Sequence, residues 1–178
     1  MIRSRYVGVA AILLAVSAGA AALANPGDPE PDVDAQVVSL MRTTLESSDP
    51  GQHNHAGHSA QPATPAPVIC GVRVYGHEAA DAATLAEVRT VYGFHLCGVA
   101  EPKRPWDVAV KLAGPVILDL ATNPPGIQAV EATADVTYAD RLRQLFPPKY
   151  ADLAAREALT ESEMADVRRR YDAAAELP

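Results

Sequence analysis

The chain of 178 residues carries none of the spaced signatures that mark common catalytic engines: no G-x-S-x-G turn, no phosphate-binding loop, no C-x-x-C pair and no dinucleotide fingerprint. Each absence removes an enzyme class that would otherwise be recognised by motif. Cysteine is nearly missing as well, with only Cys70 and Cys97 present. No thiol follows the apolar start of the chain, so nothing there can carry a lipid. Arg3 and Arg5 are separated by Ser4 and do not make the adjacent pair of a twin-arginine signal.

Positive charge is also short. Against 22 acidic residues stand 15 basic ones, a net charge of −7. An acidic chain of this kind repels phosphate backbones and anionic lipid, which argues against a nucleic-acid partner. No internal repeat is present.

What is there begins with an address. "MIRSRYVGVAAILLAVSAGAAALA" sets Arg3 and Arg5 before an apolar run and closes on Ala22 and Ala24 around Leu23, the layout of a secretory signal peptide cleaved after Ala24. The alternative is an uncleaved anchor, which needs about 20 apolar residues. The A-x-A ending favours cleavage, leaving no stable membrane anchor. The mature chain would then hold 13 basic against 22 acidic residues. Export would place both cysteines in an oxidising compartment, where a Cys70–Cys97 disulfide is expected. The competing use of Cys97 as a nucleophile would need a free thiolate beside a base.

The sequence divides at composition shifts into a leader (1–24), an acidic proline-rich stretch with a short helix (25–47), a linker (48–67), an α+β domain (68–147) and a helical end (148–178). In the second part, Val33, Val37, Leu40, Met41 and Leu45 recur at helical spacing, predicting a helix that either docks on the domain or frays. The linker, "SSDPGQHNHAGHSAQPATPAP", has no apolar side chain larger than Ala or Pro and supplies no core. It does hold His53, His55 and His58. Imidazoles in an H-x-H-x2-H array can bind Zn²⁺ or Cu²⁺, although ordering each residue of a free tether costs about 1–2 kcal/mol and limits affinity. Calorimetric titration against a His53/His55/His58→Ala triple variant decides between a metal site and a polar linker that contains histidine.

"VICGVRVYG" reads as a strand with Val68, Cys70, Val72 and Val74 on one face and Ile69, Arg73 and Tyr75 on the other. Thr84 and Glu87 form a T-x-x-E capping box before Leu85, Val88, Val91, Tyr92, His95, Leu96 and Val99, predicting a helix over 84–98; the β-branched and aromatic content of the same residues, with Gly93, is the argument for a strand. "DVAVKLA" predicts a strand with Val108, Val110 and Leu112 inward. "VILDL" is either a second strand or its continuation, and "IQAVEA" a further one. Thr137 opens a helix through Phe146, "KYADLAAREAL" gives another, and a capping box at Thr160 and Glu163 starts a third with a seam of Met164, Val167, Tyr171 and Ala174. Arg168, Arg169 and Arg170 point around that helix as a solvated face. The order β-α-β-β-β followed by helices predicts one helix packed on a curved antiparallel sheet. Over Val68 to Thr133 it resembles the cystatin-like architecture in the order of its elements alone, which implies nothing about function.

Three further side chains stand out. His77 opens "HEAAD", where Asp81 occupies the position that a second zinc-protease histidine would need. His95 falls on the apolar stripe beside Cys97, as a core histidine or a base, and Trp106 either anchors a turn or contacts a ligand. Three expectations follow: a secreted, non-enzymatic protein that binds a protein or small ligand through Trp106, His95 or His77; a divalent-metal protein using the histidine tether; or a hydrolase built from His77, His95 and Asp107.

Overall fold

Four strands run in sequence order, each antiparallel to the next: β1 (Val68–Glu78), β2 (Thr90–Val99), β3 (Lys111–Asp119) and β4 (Gly126–Ala129). They belong to a computed structural model that describes residues 32–48 and 66–178. The expected leader and its cleavage after Ala24, the acidic stretch before residue 32, and His53, His55 and His58 lie outside the described residues. Helix α1 (Val33–Ser47) precedes the sheet, and α2 (Tyr138–Leu145), α3 (Pro148–Ala154) and α4 (Glu161–Ala174) follow it. The class is α+β, a helix on an antiparallel sheet with helices at the C-terminal end.

The two faces of β1 fall as its alternation requires. Cys70 and Val72, with Val68 and Val74, join Val91, Cys97, Val116 and Leu118 beneath α1, whose Val37, Met41 and Leu45 are fully buried. The narrow stripe of α1 therefore docks. On the opposite face, Tyr92 and Tyr75 pack with Leu142, Phe146 and Tyr150 of the α2–α3 region. Ile69 and Leu96 pack with Val167 and Tyr171 of α4 and with Trp106. Asp32 caps α1, Thr137 caps α2, and Thr160 and Glu163 close a reciprocal capping box on α4.

One expected helix is a strand. Residues 84–98 form a single 3-10 turn, Leu85–Glu87, and then β2; the Thr84 side chain caps nothing, and Glu87 accepts the Ala83 N–H at 2.8 Å instead. The physical reason is burial on both sides. Because helices cover both faces of the sheet, β2 is apolar on alternate and intervening positions alike, and such a run mimics a helical stripe. Gly93 contributes by close approach, since a Cβ there would lie 2.5 Å from the Arg73 carbonyl and 2.9 Å from Met41. The helix on the sheet is thus α1, ahead of the first strand, and the β-α-β-β-β order becomes α-β-β-β-β.

Val108 and Val110 are expected inward. Both are exposed. Trp106 buries itself against Tyr171 and draws Trp106–Val108 into a 3-10 turn, which shifts the parity so that Ala109 faces the core. The strand begins only at Lys111, and "VILDL" continues it without a register break.

Cys70 and Cys97 are bonded to each other and directly paired across β1 and β2, with Cα atoms 4.1 Å apart. Tyr75 has a tell-tale environment of its own. Burial first, then the neighbouring Glu157 carboxylate, push its hydroxyl up to about 12 from 10.0. An unfolded tyrosine ionises near 10. The raised folded value means that this stabilisation is complete below pH about 10 and is lost as pH climbs towards 12. Tyr92, Tyr138 and Tyr171 are raised as well by burial, so alkaline titration of phenolate absorbance should show a late phase that Tyr75→Phe reduces by one group, with a smaller stability loss above pH about 10 in that variant.

Candidate functional site

β1 is an edge strand, and its outer side is treated differently at its two ends. At the start, the Cys70 N–H donates to Glu46 of α1 at 2.9 Å, and Arg170 of α4 donates to the Cys70 carbonyl. Glu46 and Arg170 meet each other at 2.7 Å, and Asp166 holds the guanidinium from behind at 3.1 Å. Burial pulls the Arg170 pKa down, but the hydrogen bonds it donates to Glu46 and Asp166 outweigh it and hold the group above its ordinary value. One ion pair from helices on opposite faces thus wraps the edge and satisfies its peptide groups, a device that also blocks pairing with another chain. Of the three consecutive arginines, Arg168 pairs with Asp107, Arg169 with Asp166, and Arg170 makes this clamp.

Among the described residues, the other end of β1 is open. A bulge places Tyr75 out of register between Val74 and Gly76, and Gly76, at φ +156°, has no Cβ where the Tyr150 ring lies 2.3 Å from the position one would take. Asp34 and Val38 of α1, Tyr150 of α3, and Val74, Tyr75, Gly76, His77 and Ala80 line a groove of about 370 Å³ here. His77 is buried, with Nδ1 donating to the Ala79 carbonyl at 2.8 Å. That bond orients the ring and leaves Nε2 facing the Asp34 carboxylate at 3.4 Å. Asp34 itself is 85% exposed. The Tyr150 hydroxyl donates to the His77 carbonyl at 3.3 Å, so this tyrosine offers the groove its ring.

The other candidate side chains are elsewhere. His95 is 1% exposed, its Nδ1 donating to the Gly114 carbonyl at 2.9 Å from within the sheet. His77 pairs with Val91, so His95 lies four positions further along β2, about 13 Å away at strand rise. Asp107 sits in the turn beyond the far end of β2 and pairs with Arg168 at 3.0 Å. The chain folds without gathering His77, His95 and Asp107 into one pocket. Trp106 is buried in edge-to-face contact with Tyr171, ring centres 5.0 Å apart, as the anchor of its turn. Glu78 accepts from the Tyr92 hydroxyl at 3.2 Å, and Asp81 is exposed.

Comparison with known proteins decides nothing further. No family model, curated protein or solved structure matches this chain. The site therefore rests on its own chemistry. Among the described residues, no group of three His, Cys, Asp or Glu side chains is placed to hold a metal ion, and no helix is long and apolar enough to cross a membrane.

Sequence reasoning found His77 but not Asp34, Val38 or Tyr150. Forty-three positions separate Asp34 from His77 in number, and only the docking of α1 brings them together. The bulge at Gly76 was the local signal available, because a glycine inside a strand pattern marks a bulge or a close approach.

Proposed function

We propose that this is an exported, non-enzymatic binding protein whose disulfide-stapled domain recognises its partner through the groove at His77. The groove itself carries the reading: an open strand edge, a fixed histidine and an exposed carboxylate converge between two helices. The separation of His77, His95 and Asp107 supports binding over hydrolysis. The disulfide suits an oxidising compartment, and the leader-like start of the sequence supplies a route to one.

Capture tests it. Biotinylated mature protein and an Ala80→Trp variant, which fills the groove from its exposed rim, are cross-linked to the components of the surrounding medium and compared by mass spectrometry. The reading expects a species held by the wild type and lost by the variant. Identical captures from both proteins, or none from either, count against it.

A further inference from the structure

The open end of β1 has the geometry of a strand-addition site. The N–H and carbonyl of Cys70 turn outward, to Glu46 and Arg170, and residues two apart along a strand share that direction. The Val99 N–H, which bonds to Val110 on the β3 side, fixes the same parity in β2. Val74 therefore presents its N–H and carbonyl away from β2, into the groove. Past the bulge the outward residue is His77, whose carbonyl takes the Tyr150 hydroxyl. At Val74 the strand keeps hydrogen-bonding groups that a second extended chain can match.

We propose that this groove takes a short, basic, extended segment of a partner protein, which adds to the edge of β1 at Val74 and sets a lysine or arginine against Asp34. This deepens the binding-protein reading and rests on it. Walls formed by α1 and α3 admit one chain rather than another sheet, and a volume of about 370 Å³ fits a few residues. Charge supplies the selectivity. Asp34 is 85% exposed and faces His77, in a chain of net charge −7. Lys149, the neighbouring base on α3, lies 4.3 Å over the Tyr150 ring and does not line the groove. Main-chain pairing gives affinity in such complexes, and alternate side chains give specificity.

The test uses isotope-labelled mature protein and four probes: a capped heptapeptide alternating valine with lysine, its glutamate counterpart, the lysine peptide N-methylated at every residue, and free cadaverine. The lysine peptide is expected to bind, to shift the amide signals of Val74 and His77, and to weaken roughly tenfold against Asp34→Lys, where attraction becomes repulsion. The glutamate peptide should gain with that variant, and N-methylation should abolish binding. Absence of binding by the lysine peptide, binding that survives N-methylation or Asp34→Lys, or cadaverine binding as tightly as the peptide each overturns the proposal. A natural partner still captured by Asp34→Lys but lost by Ala80→Trp leaves the binding-protein reading standing while removing the basic-segment assignment.

Discussion

Replacing Cys70 and Cys97 together by alanine should lower the unfolding free energy by about 3–4 kcal/mol, the loop-closure entropy that a bridge across 27 residues removes from the unfolded chain. Set against a total stability of about 5–15 kcal/mol for a domain, that is a large share. The bridge spans a directly opposed pair in the ladder between an edge strand and its neighbour, so it holds the strand on which α1 and α4 both pack. Loss of the bridge frees the 79–89 connection and β1 together in the unfolded ensemble. Urea unfolding of the oxidised wild type and the double alanine variant measures the difference directly. A loss below about 1 kcal/mol would mean that the entropic account of the staple fails.

Tyr171→Ala should cost a comparable amount, about 3–5 kcal/mol, as large-to-small changes at buried aromatic positions do. Tyr171 is fully buried, its ring meets Trp106 edge to face, and its hydroxyl is shared between the carbonyls of Val99 and Arg104 at 3.3 and 3.0 Å. Truncation opens a cavity between α4 and the sheet and takes the hydroxyl from the Arg104 carbonyl, while the Val99 carbonyl keeps the Glu101 N–H at 3.1 Å. Tyr171→Phe keeps the ring and should cost only about 1 kcal/mol, the net worth of a hydrogen bond. Since Trp106 is the sole tryptophan and lies on this ring, its emission reports the event. The alanine variant should show red-shifted native fluorescence, and the phenylalanine variant should not.

These expectations show where the sequence was readable. The strand faces of Val68–Tyr75 and the capped seam of α4 depend on local patterns, the pairing of Cys70 with Cys97 on there being two cysteines and an expected oxidising compartment, and each is found in the fold. The stretch 84–98 was not legible because its decisive neighbours are distant. A sheet covered on both faces erases the alternation that would have marked β2, and the Thr84 and Glu87 box imitates a helix start while making only one turn. Val108 and Val110 misled for a related reason, as a single buried tryptophan two residues upstream reset the parity of the segment.

The site was legible only in part. His77 stood out by type, but its environment is assembled by α1, whose Asp34 lies 43 positions earlier in the sequence, and by Tyr150 from α3. Glu46 and Arg170, which seal the opposite end of the same edge, lie 124 residues apart. No local pattern in either helix announces that pair. The organisation on which the proposed binding rests is one strand edge, closed by an ion pair at Cys70 and, among the described residues, open at Val74 just before the bulge at Tyr75.

Residue-resolved amide exchange of the free protein tests that organisation most directly. The account predicts a slowly exchanging Cys70 N–H, held by the Glu46 carboxylate, that becomes fast in Glu46→Ala, beside a Val74 N–H that exchanges quickly in both proteins. A Val74 amide as protected as that of Cys70 would mean that the edge is closed along its whole length, and the groove would lose the feature on which recognition depends.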